Sequence, residues 1–235
     1  MSLRRYSLVM DLTIGFITSK LGCKDRQILF LFKYSKAFSY QNANDLKKQH
    51  LCTRIIAMRK LKLQELNRLS TEAFKEAEKL PIAIVLDNIR SMHNVGSIFR
   101  TADAFRCENI YLCGITAQPP HRDITKTALG ADRSVHWQYY KKTTDTITDL
   151  KSRGYHIIGV EQTSSSVQLQ SLNVPQKPIA LIFGNEIDGI DTEVLELCDA
   201  WVEIPQAGTK HSLNVSVAAG IVLWHFASPR LSAVL

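Results

Sequence analysis

The sequence lacks the two glycine-rich signatures that most often mark nucleotide-binding α/β proteins. No Gly-x-Gly-x-x-Gly fingerprint follows its first apolar segment, and no Walker phosphate loop occurs in its 235 residues. The first absence argues against an ordinary dinucleotide-binding fold, and the second argues against a P-loop nucleotidase. The commonest functions of an α/β protein of this size are therefore disfavoured.

Cysteine pairs and long apolar runs are also missing. The cysteines are odd in number and form no Cys-x-x-Cys pair; they are Cys23, Cys52, Cys107, Cys113 and Cys198. This pattern predicts reduced cytoplasmic thiols, with neither a disulfide scaffold nor a metal site. No apolar run approaches the ~20 residues that span a bilayer, and the residues before Ile28 lack the order of a signal peptide. We therefore expect a cytoplasmic protein with no membrane or metal partner.

Most of the chain has no excess charge of either sign. The formal net charge is +7, yet residues 58–235 hold 19 Lys/Arg and 19 Asp/Glu. The whole excess lies in residues 1–57, with 10 Lys/Arg and 3 Asp/Glu. Two interpretations of this N-terminal extension stay open. It is either a basic arm that holds nucleic-acid phosphates or the product of a misassigned start, with Met58 as the true first residue.

Residues 58–80 form a short helical segment before the main domain, which we place at 81–235. Apolar residues at helical spacing predict two short amphipathic helices in this segment. Ser70 is the expected N-cap of the second helix, with Glu72 in its first turn. Pro81 is expected to end that helix.

From Pro81 onward, strand and helix signals alternate. Strands are predicted at 82–89, 109–114, 135–139, 156–161, 179–184 and 201–205. Helices are predicted at 97–105, 126–130, 145–153, 191–198 and 212–226. Several strands are almost unbroken apolar runs, which is typical of strands covered on both faces. The pattern predicts an α/β fold with a mostly parallel sheet and helices on both faces.

Three glycine-bearing segments are each interpreted as a strand end, a turn and the start of a helix. They read NVGSIFRTADAF from Asn94, IALIFGNEIDGI from Ile179, and IPQAGTKHSLNVSVAAG from Ile204. In open α/β sheets, ligands collect where the carboxyl ends of strands meet such loops. In this order and spacing, the segments resemble the three motifs of the SpoU (TrmH-like) branch of the SPOUT methyltransferases. The resemblance covers about Ile82 to Phe226.

The resemblance implies a methyl donor and a pocket for it. Members of this branch use S-adenosylmethionine to methylate ribose 2′-hydroxyls in RNA. The expected cofactor-binding residues are Gly184, Gly189, Ile204, Gly208 and Leu213, of which the glycines also fit turns that bring backbone close to a flat ligand. Gln206 departs from the family pattern, which usually has methionine after the Ile-Pro pair.

The resemblance also assigns catalytic roles, and the expected catalytic residues are Arg100, Asn94, Glu186, Ser212 and Asn214. An arginine fork can clamp a phosphate beside the target ribose. Because arginine remains protonated in proteins, orientation and charge stabilisation are the expected role of Arg100, with proton abstraction as the alternative. Taken singly, Asn94 and Ser212 would also serve as helix caps.

Family members carry a deep C-terminal trefoil knot and work as homodimers that build each active site from two subunits. The apolar residues Ile221, Val222, Trp224 and Phe226 suit either such an interface or the core. His121, Arg122 and Lys126 are the expected RNA contacts, because they lie in or beside a Pro-rich loop. The shortness of residues 58–80 favours tRNA over rRNA as substrate.

Two other functional interpretations remain beside that of an RNA 2′-O-methyltransferase. The first is a non-catalytic RNA-binding or RNP-assembly protein on the same fold. The presence of all five expected catalytic residues argues against it. The second is an α/β enzyme for another nucleotide-like ligand, with the resemblance misleading.

Overall fold

The computed structural model describes residues 59–234. The chain divides into two compact units at the bond between Leu66 and Asn67. In the described part of the first unit, Leu63–Leu66 form a 3-10 turn, and Arg59 pairs with Glu65 at 2.6 Å. The predicted extension over residues 1–57 lies outside the described residues. All the elements that follow belong to the second unit.

A short helix precedes the sheet. Helix α1 spans Thr71–Glu76 and begins after Ser70, whose Oγ accepts a hydrogen bond from the Ala73 amide at 3.1 Å. The N-cap expected from the sequence is therefore confirmed. The expectation that Pro81 ends this helix is wrong, because Pro81 lies within the first strand. The Lys79 ammonium instead binds carbonyls of the last turn of α1.

The described residues contain one sheet of seven parallel strands, in the order β3-β2-β1-β6-β4-β7-β5. The strands are β1 Leu80–Asp87, β2 Cys107–Cys113, β3 Trp137–Tyr140, β4 His156–Val160, β5 Val167–Gln168, β6 Ile179–Phe183 and β7 Ala200–Glu203. The central strands β1 and β6 are almost wholly buried. Their unbroken apolar sequences follow from burial on both faces.

Helices cover both faces of this sheet. They are α2 Met92–Ala104, α3 Arg122–Ala128, α4 Ala131–Ser134, α5 Thr143–Ser152, α6 Thr192–Glu196 and α7 Val215–Ala227, with 3-10 turns at Leu169–Ser171 and Ser228–Ala233. Buried side chains of α2, α3 and α7 share one hydrophobic core with the sheet, and those of α5 and α6 share the other. The predicted α/β architecture is confirmed.

Three helices begin three or more residues from their predicted start. Helix α2 begins at Met92 rather than at residue 97, because Ser91 Oγ caps it by accepting from the Asn94 amide at 3.3 Å. Helix α3 begins at Arg122 rather than near residue 126. Helix α7 begins at Val215 rather than at residue 212. In each case the capping side chain precedes the periodic apolar residues on which the prediction rested.

Candidate active site

The central strands end at one level, which brings four loops together. Pairing aligns Leu86 of β1 with Phe183 of β6, and aligns Phe183 with Val160 of β4. Val160 is in turn aligned with Val202 of β7. The loops after β1, β6, β4 and β7 therefore leave the sheet side by side, where open α/β proteins bind ligands.

A cavity of about 460 Å³ opens between the loops that follow β4, β6 and β7. A volume of this size is typical of small-molecule sites. Its wall includes all residues of the Gly184–Gly189 loop and several of the segment from Ile204 to Val215. The predicted site residues in this wall are Gly184, Glu186, Gly189, Ile204, Ser212, Leu213 and Asn214.

A hydrogen-bond chain joins the three sequence motifs at one side of the cavity. Asn94 Nδ2 donates to Glu186 Oε1 at 2.9 Å, and Asn214 Nδ2 donates to Asn94 Oδ1 at 3.1 Å. The chain joins residues 92 and 120 positions apart in the sequence. Three of the five expected catalytic residues are thus brought together, one from each motif.

Asn214 has two functions in this chain. Its Oδ1 accepts hydrogen bonds from the amides of Ser216 at 2.9 Å and Val217 at 3.4 Å, so that it is the N-cap of α7. Its Nδ2 remains free to donate to Asn94. The cap therefore fixes the direction of the amide, and Ser212, suggested as an alternative cap, does not fill that position.

Glu186 is held as an anion by the start of α2. Besides the Asn94 amide, its carboxylate accepts from the backbone amides of Arg90 and Ser91, each at 3.2 Å. Burial opposes ionisation, but the hydrogen bonds from Asn94, from its own loop and from Arg90 and Ser91 outweigh it and hold the pKa of Glu186 below its usual value. The side chain is largely solvent-exposed, so the resulting stabilisation is modest.

We expect the Glu186→Gln protein to lose a pH-dependent part of its stability. The folded-state pKa of Glu186 lies below the ordinary value of about 4.3, so its contribution is present above that pH and is lost as pH falls through the lower folded value. Unfolding midpoints of wild type and variant should converge below about pH 4. The exposed Glu193→Gln protein serves as control, and a wild-type advantage that persists in acid would contradict the assignment.

The Gly184–Gly189 loop is too tight for any other residue at its ends. A Cβ on Gly184 would lie 2.1 Å from the Gly189 carbonyl carbon, and Gly189 has a positive φ of 71°. The Asn185 amide donates to the Gly189 carbonyl at 3.0 Å and closes the turn. Glycine at both positions is thus required by the packing of this loop.

Other predicted site residues lie away from the cavity. Gly208 is absent from its wall, and a Cβ there would meet no atom within 4 Å. Arg100 lies in α2, six residues after Asn94, which places it about 120° around the helix from that side chain. Its guanidinium is exposed and makes no hydrogen bond or ion pair within residues 59–234. His121, Arg122 and Lys126 lie at α3, which packs on α2.

Several residues of the cavity wall were not among the expected site residues, including Glu161, Gln162 and His211. Glu161 and Gln162 follow β4, and His211 precedes Ser212. Glu161 and Gln162 could have been identified in the sequence from their position at the carboxyl end of a predicted parallel strand, where polar side chains collect.

The cysteines within residues 59–234 pack in the two hydrophobic cores. Cys107, Cys113 and Cys198 are buried free thiols. Burial raises their pKa values, to about 12 for Cys107 and about 11 for Cys113, so they are poor nucleophiles. Among residues 59–234, no His, Cys, Asp and Glu side chains cluster as a metal site would require, and no helix is long and apolar enough to cross a membrane.

Residues 81–224 match the family described as the SpoU rRNA Methylase family. A 23S rRNA (guanosine-2'-O-)-methyltransferase from Neisseria meningitidis is 36% identical over 143 residues, which cover 61% of this chain and 56% of that relative. A tRNA (guanosine(18)-2'-O)-methyltransferase from Aquifex aeolicus is 31% identical over 153 residues, which cover 63% of this chain and 70% of that relative.

The fold matches solved structures as well. An AdoMet-bound rRNA methyltransferase from Sinorhizobium meliloti aligns with a TM-score of 0.60 and 28% identity, covering 69% of this chain and 61% of the other. The chain spans less than two thirds of the length of several curated relatives that it matches. The family match nevertheless covers more than half of the protein. The matched residues include the cavity wall and the three members of the hydrogen-bond chain, Glu186, Asn94 and Asn214. The protein therefore belongs to the SpoU rRNA Methylase family.

Proposed function

We propose that the protein transfers a methyl group from S-adenosylmethionine to a ribose 2′-hydroxyl of structured RNA. The observation that carries this proposal is the Glu186–Asn94–Asn214 chain beside the cavity. It joins all three motifs at the ligand-binding edge of the sheet. The family match leaves no basis for an enzyme acting on an unrelated nucleotide.

The cavity suits the cofactor in shape and charge. Two backbone segments, one from Gly184 and one from Ile204 to Leu213, can present donors and acceptors to an adenine ring. The wall includes four carboxylates, those of Glu161, Glu186, Asp188 and Glu203, and no lysine or arginine. S-adenosylmethionine supplies an electrophilic methyl group on a sulfonium cation. An acidic wall favours binding of such a cation.

The position of Arg100 supports an active site completed by a second subunit. In its own protomer the side chain is exposed and is absent from the cavity wall. We infer that Arg100 acts in the site of the partner, where it orients the ribose and stabilises developing charge. The same inference explains why Arg100 is exposed in a single chain.

Helix α7 has an apolar surface suited to that homodimer. Val217, Ile221 and Trp224 are spaced at i, i+4 and i+7 and are 52%, 40% and 55% exposed. Val222 and Phe226, which the sequence also offered for an interface, are fully buried in the core. The exposed stripe is therefore the part of α7 that we assign to the dimer. We also propose the family's trefoil knot for the segment from β6 to α7.

Helix α3 is the proposed RNA contact. It packs on α2 so closely that a Cβ on Gly96 would lie 2.2 Å from Thr127 Oγ1. His121 Nδ1 accepts from the Asp123 amide at 3.2 Å and caps α3. Helix α3, which carries the exposed cations of Arg122 and Lys126, is thereby held against α2.

Some other cations of the described chain are held in ion pairs. Near the amino ends of strands β2, β4 and β7, Lys151 pairs with Asp199 at 3.2 Å and Arg153 pairs with Glu108 at 3.4 Å. Neither Arg122 nor Lys126 has an ion-pair partner in the described part of the chain. Cations without internal partners are available to RNA phosphates.

We expect the double variant Arg122→Ala/Lys126→Ala to raise the KM for RNA about tenfold and to lower the salt dependence of binding by about one unit of log–log slope per lost contact. The kcat and the KM for the cofactor should change little. Lys75→Ala/Lys177→Ala, which removes two exposed lysines elsewhere, is the matched control. Equal effects of both double variants would show that only net charge matters.

The substrate class is best tested by methyl transfer itself. Labelled S-adenosylmethionine would be offered with unmodified tRNA and rRNA separately, followed by digestion to nucleosides. We propose cytoplasmic tRNA as the preferred acceptor, and label in a 2′-O-methyl nucleoside from tRNA is the expected result. Transfer to rRNA alone would refute the preference. RNA binding without cofactor binding or transfer would favour the non-catalytic alternative.

A further inference from the structure

We propose that Glu161 and Gln162 are positioning residues that brace the two cofactor-binding loops against each other. Each contacts a different loop, and both lie in the cavity wall directly after β4. The inference rests on the proposed use of that cavity by S-adenosylmethionine. It assigns cofactor affinity to two residues that belong to none of the three motifs.

Glu161 holds the base of the Gly184–Gly189 loop. Its Oε2 accepts a hydrogen bond from the Ile190 amide at 3.1 Å, and its Oε1 accepts from the Gln162 amide at 2.9 Å. A Cβ on Gly189 would lie 2.2 Å from Oε2. The glycine thus allows the carboxylate to reach the loop backbone, and the two residues fit together as a pair.

Gln162 holds the other cofactor loop. Its Nε2 donates to the His211 carbonyl at 2.9 Å, 49 positions along the chain. His211 directly precedes Ser212 and Leu213, which line the cavity. Glu161 and Gln162 are adjacent residues directly after β4. Each therefore fixes one of the two loops between which the cofactor would lie.

The brace itself is rigid. The Glu161 amide donates to the Val202 carbonyl of β7 at 3.0 Å. The Glu161 carbonyl accepts from Ser166 Oγ at 2.7 Å, and Ser166 Oγ also accepts from the Thr163 amide at 2.9 Å. The turn after β4 is thus anchored to the sheet, so loop positions are set by a fixed support.

The brace also reaches the catalytic residues. The loop that Glu161 holds at Ile190 is held at its other side by Glu186, which binds the start of α2. A carboxylate is required at 161 because both oxygens accept backbone N–H groups. A glutamine there would direct its own NH₂ group at one of those donors.

The experiment compares Glu161→Gln and Gln162→Ala with Gln170→Ala, which changes an exposed glutamine whose side chain bonds only to Gln168 in the described structure. Calorimetry with S-adenosylhomocysteine should show affinity reduced about tenfold in the first two variants, equivalent to one lost hydrogen bond. The KM for S-adenosylmethionine should rise similarly. The kcat at saturating cofactor and the KM for RNA should stay near wild type.

Amide hydrogen exchange without cofactor separates this inference from the proposed function. Glu161→Gln should speed exchange in residues 184–190, and Gln162→Ala should speed it in residues 209–213, whatever ligand the cavity takes. Failure of the wild type to bind S-adenosylhomocysteine would refute the proposed function alone. Unchanged exchange and affinity in both variants would overturn the brace, as would a lower Tm with unchanged affinity.

Discussion

Arg100→Ala should lower kcat about a hundred- to thousandfold, which is the scale on which one preorganised donor stabilises charge developing at a reacting oxygen. Cofactor affinity should remain at the wild-type value, because Arg100 is absent from the cavity wall. The free energy of unfolding should also be unchanged, because the Arg100 side chain is exposed and makes no hydrogen bond within residues 59–234. Single-turnover methyl transfer and calorimetry with S-adenosylhomocysteine measure the two quantities.

Two variants make that result specific. Arg100→Lys keeps the charge but loses the planar fork, so it should recover only a small part of the activity. Arg133→Ala removes another exposed arginine, from α4, and should behave as wild type. Turnover by Arg100→Ala close to that of Arg133→Ala would refute the role of Arg100.

Mixed dimers test whether Arg100 acts across the interface. Neither Arg100→Ala nor a variant unable to bind cofactor should be active alone. If Arg100 serves the partner's cavity, a mixed dimer contains one intact site, and random mixing should restore about a quarter of wild-type activity. If Arg100 serves its own cavity, no combination contains an intact site and activity stays lost.

The parallel sheet could be predicted because its signal is local. Strands β1 and β6 are apolar runs bounded by polar residues, and burial on both faces requires that composition. The Glu186–Asn94–Asn214 hydrogen-bond chain could be predicted from the sequence only in part. Resemblance identified its members, but only the register of the strands shows that they meet.

The brace could not be predicted for a physical reason. Glu161 and Gln162 bind backbone groups 29 and 49 positions away. A backbone amide or carbonyl has no sequence identity, so no pattern of residue types marks such partners. The placement of Arg100 relative to Asn94 was missed for a different reason. The predicted helix began at residue 97 and left Asn94 outside it, whereas the cap at Ser91 places both residues on α2.

Gly184→Ala should lower the affinity for S-adenosylhomocysteine roughly ten- to hundredfold. The added Cβ would lie 2.1 Å from the Gly189 carbonyl carbon and 2.3 Å from the Ile190 nitrogen, both of which are backbone atoms. The loop must therefore open, and overpacking of this kind costs about 1–3 kcal/mol, which corresponds to that loss of affinity. Its two anchors, Glu161 and Glu186, would be displaced together.

Gly208→Ala is the matched control, since the same added methyl group would meet no atom within 4 Å. Affinity, turnover and Tm should all remain at wild-type values in that variant. The comparison also decides between two predicted cofactor contacts, because both glycines were assigned to the pocket from the sequence and only Gly184 lies in its wall. A large loss of affinity in Gly208→Ala would show that the loop closes over the cofactor, and equal affinities in both variants would refute the assigned pocket.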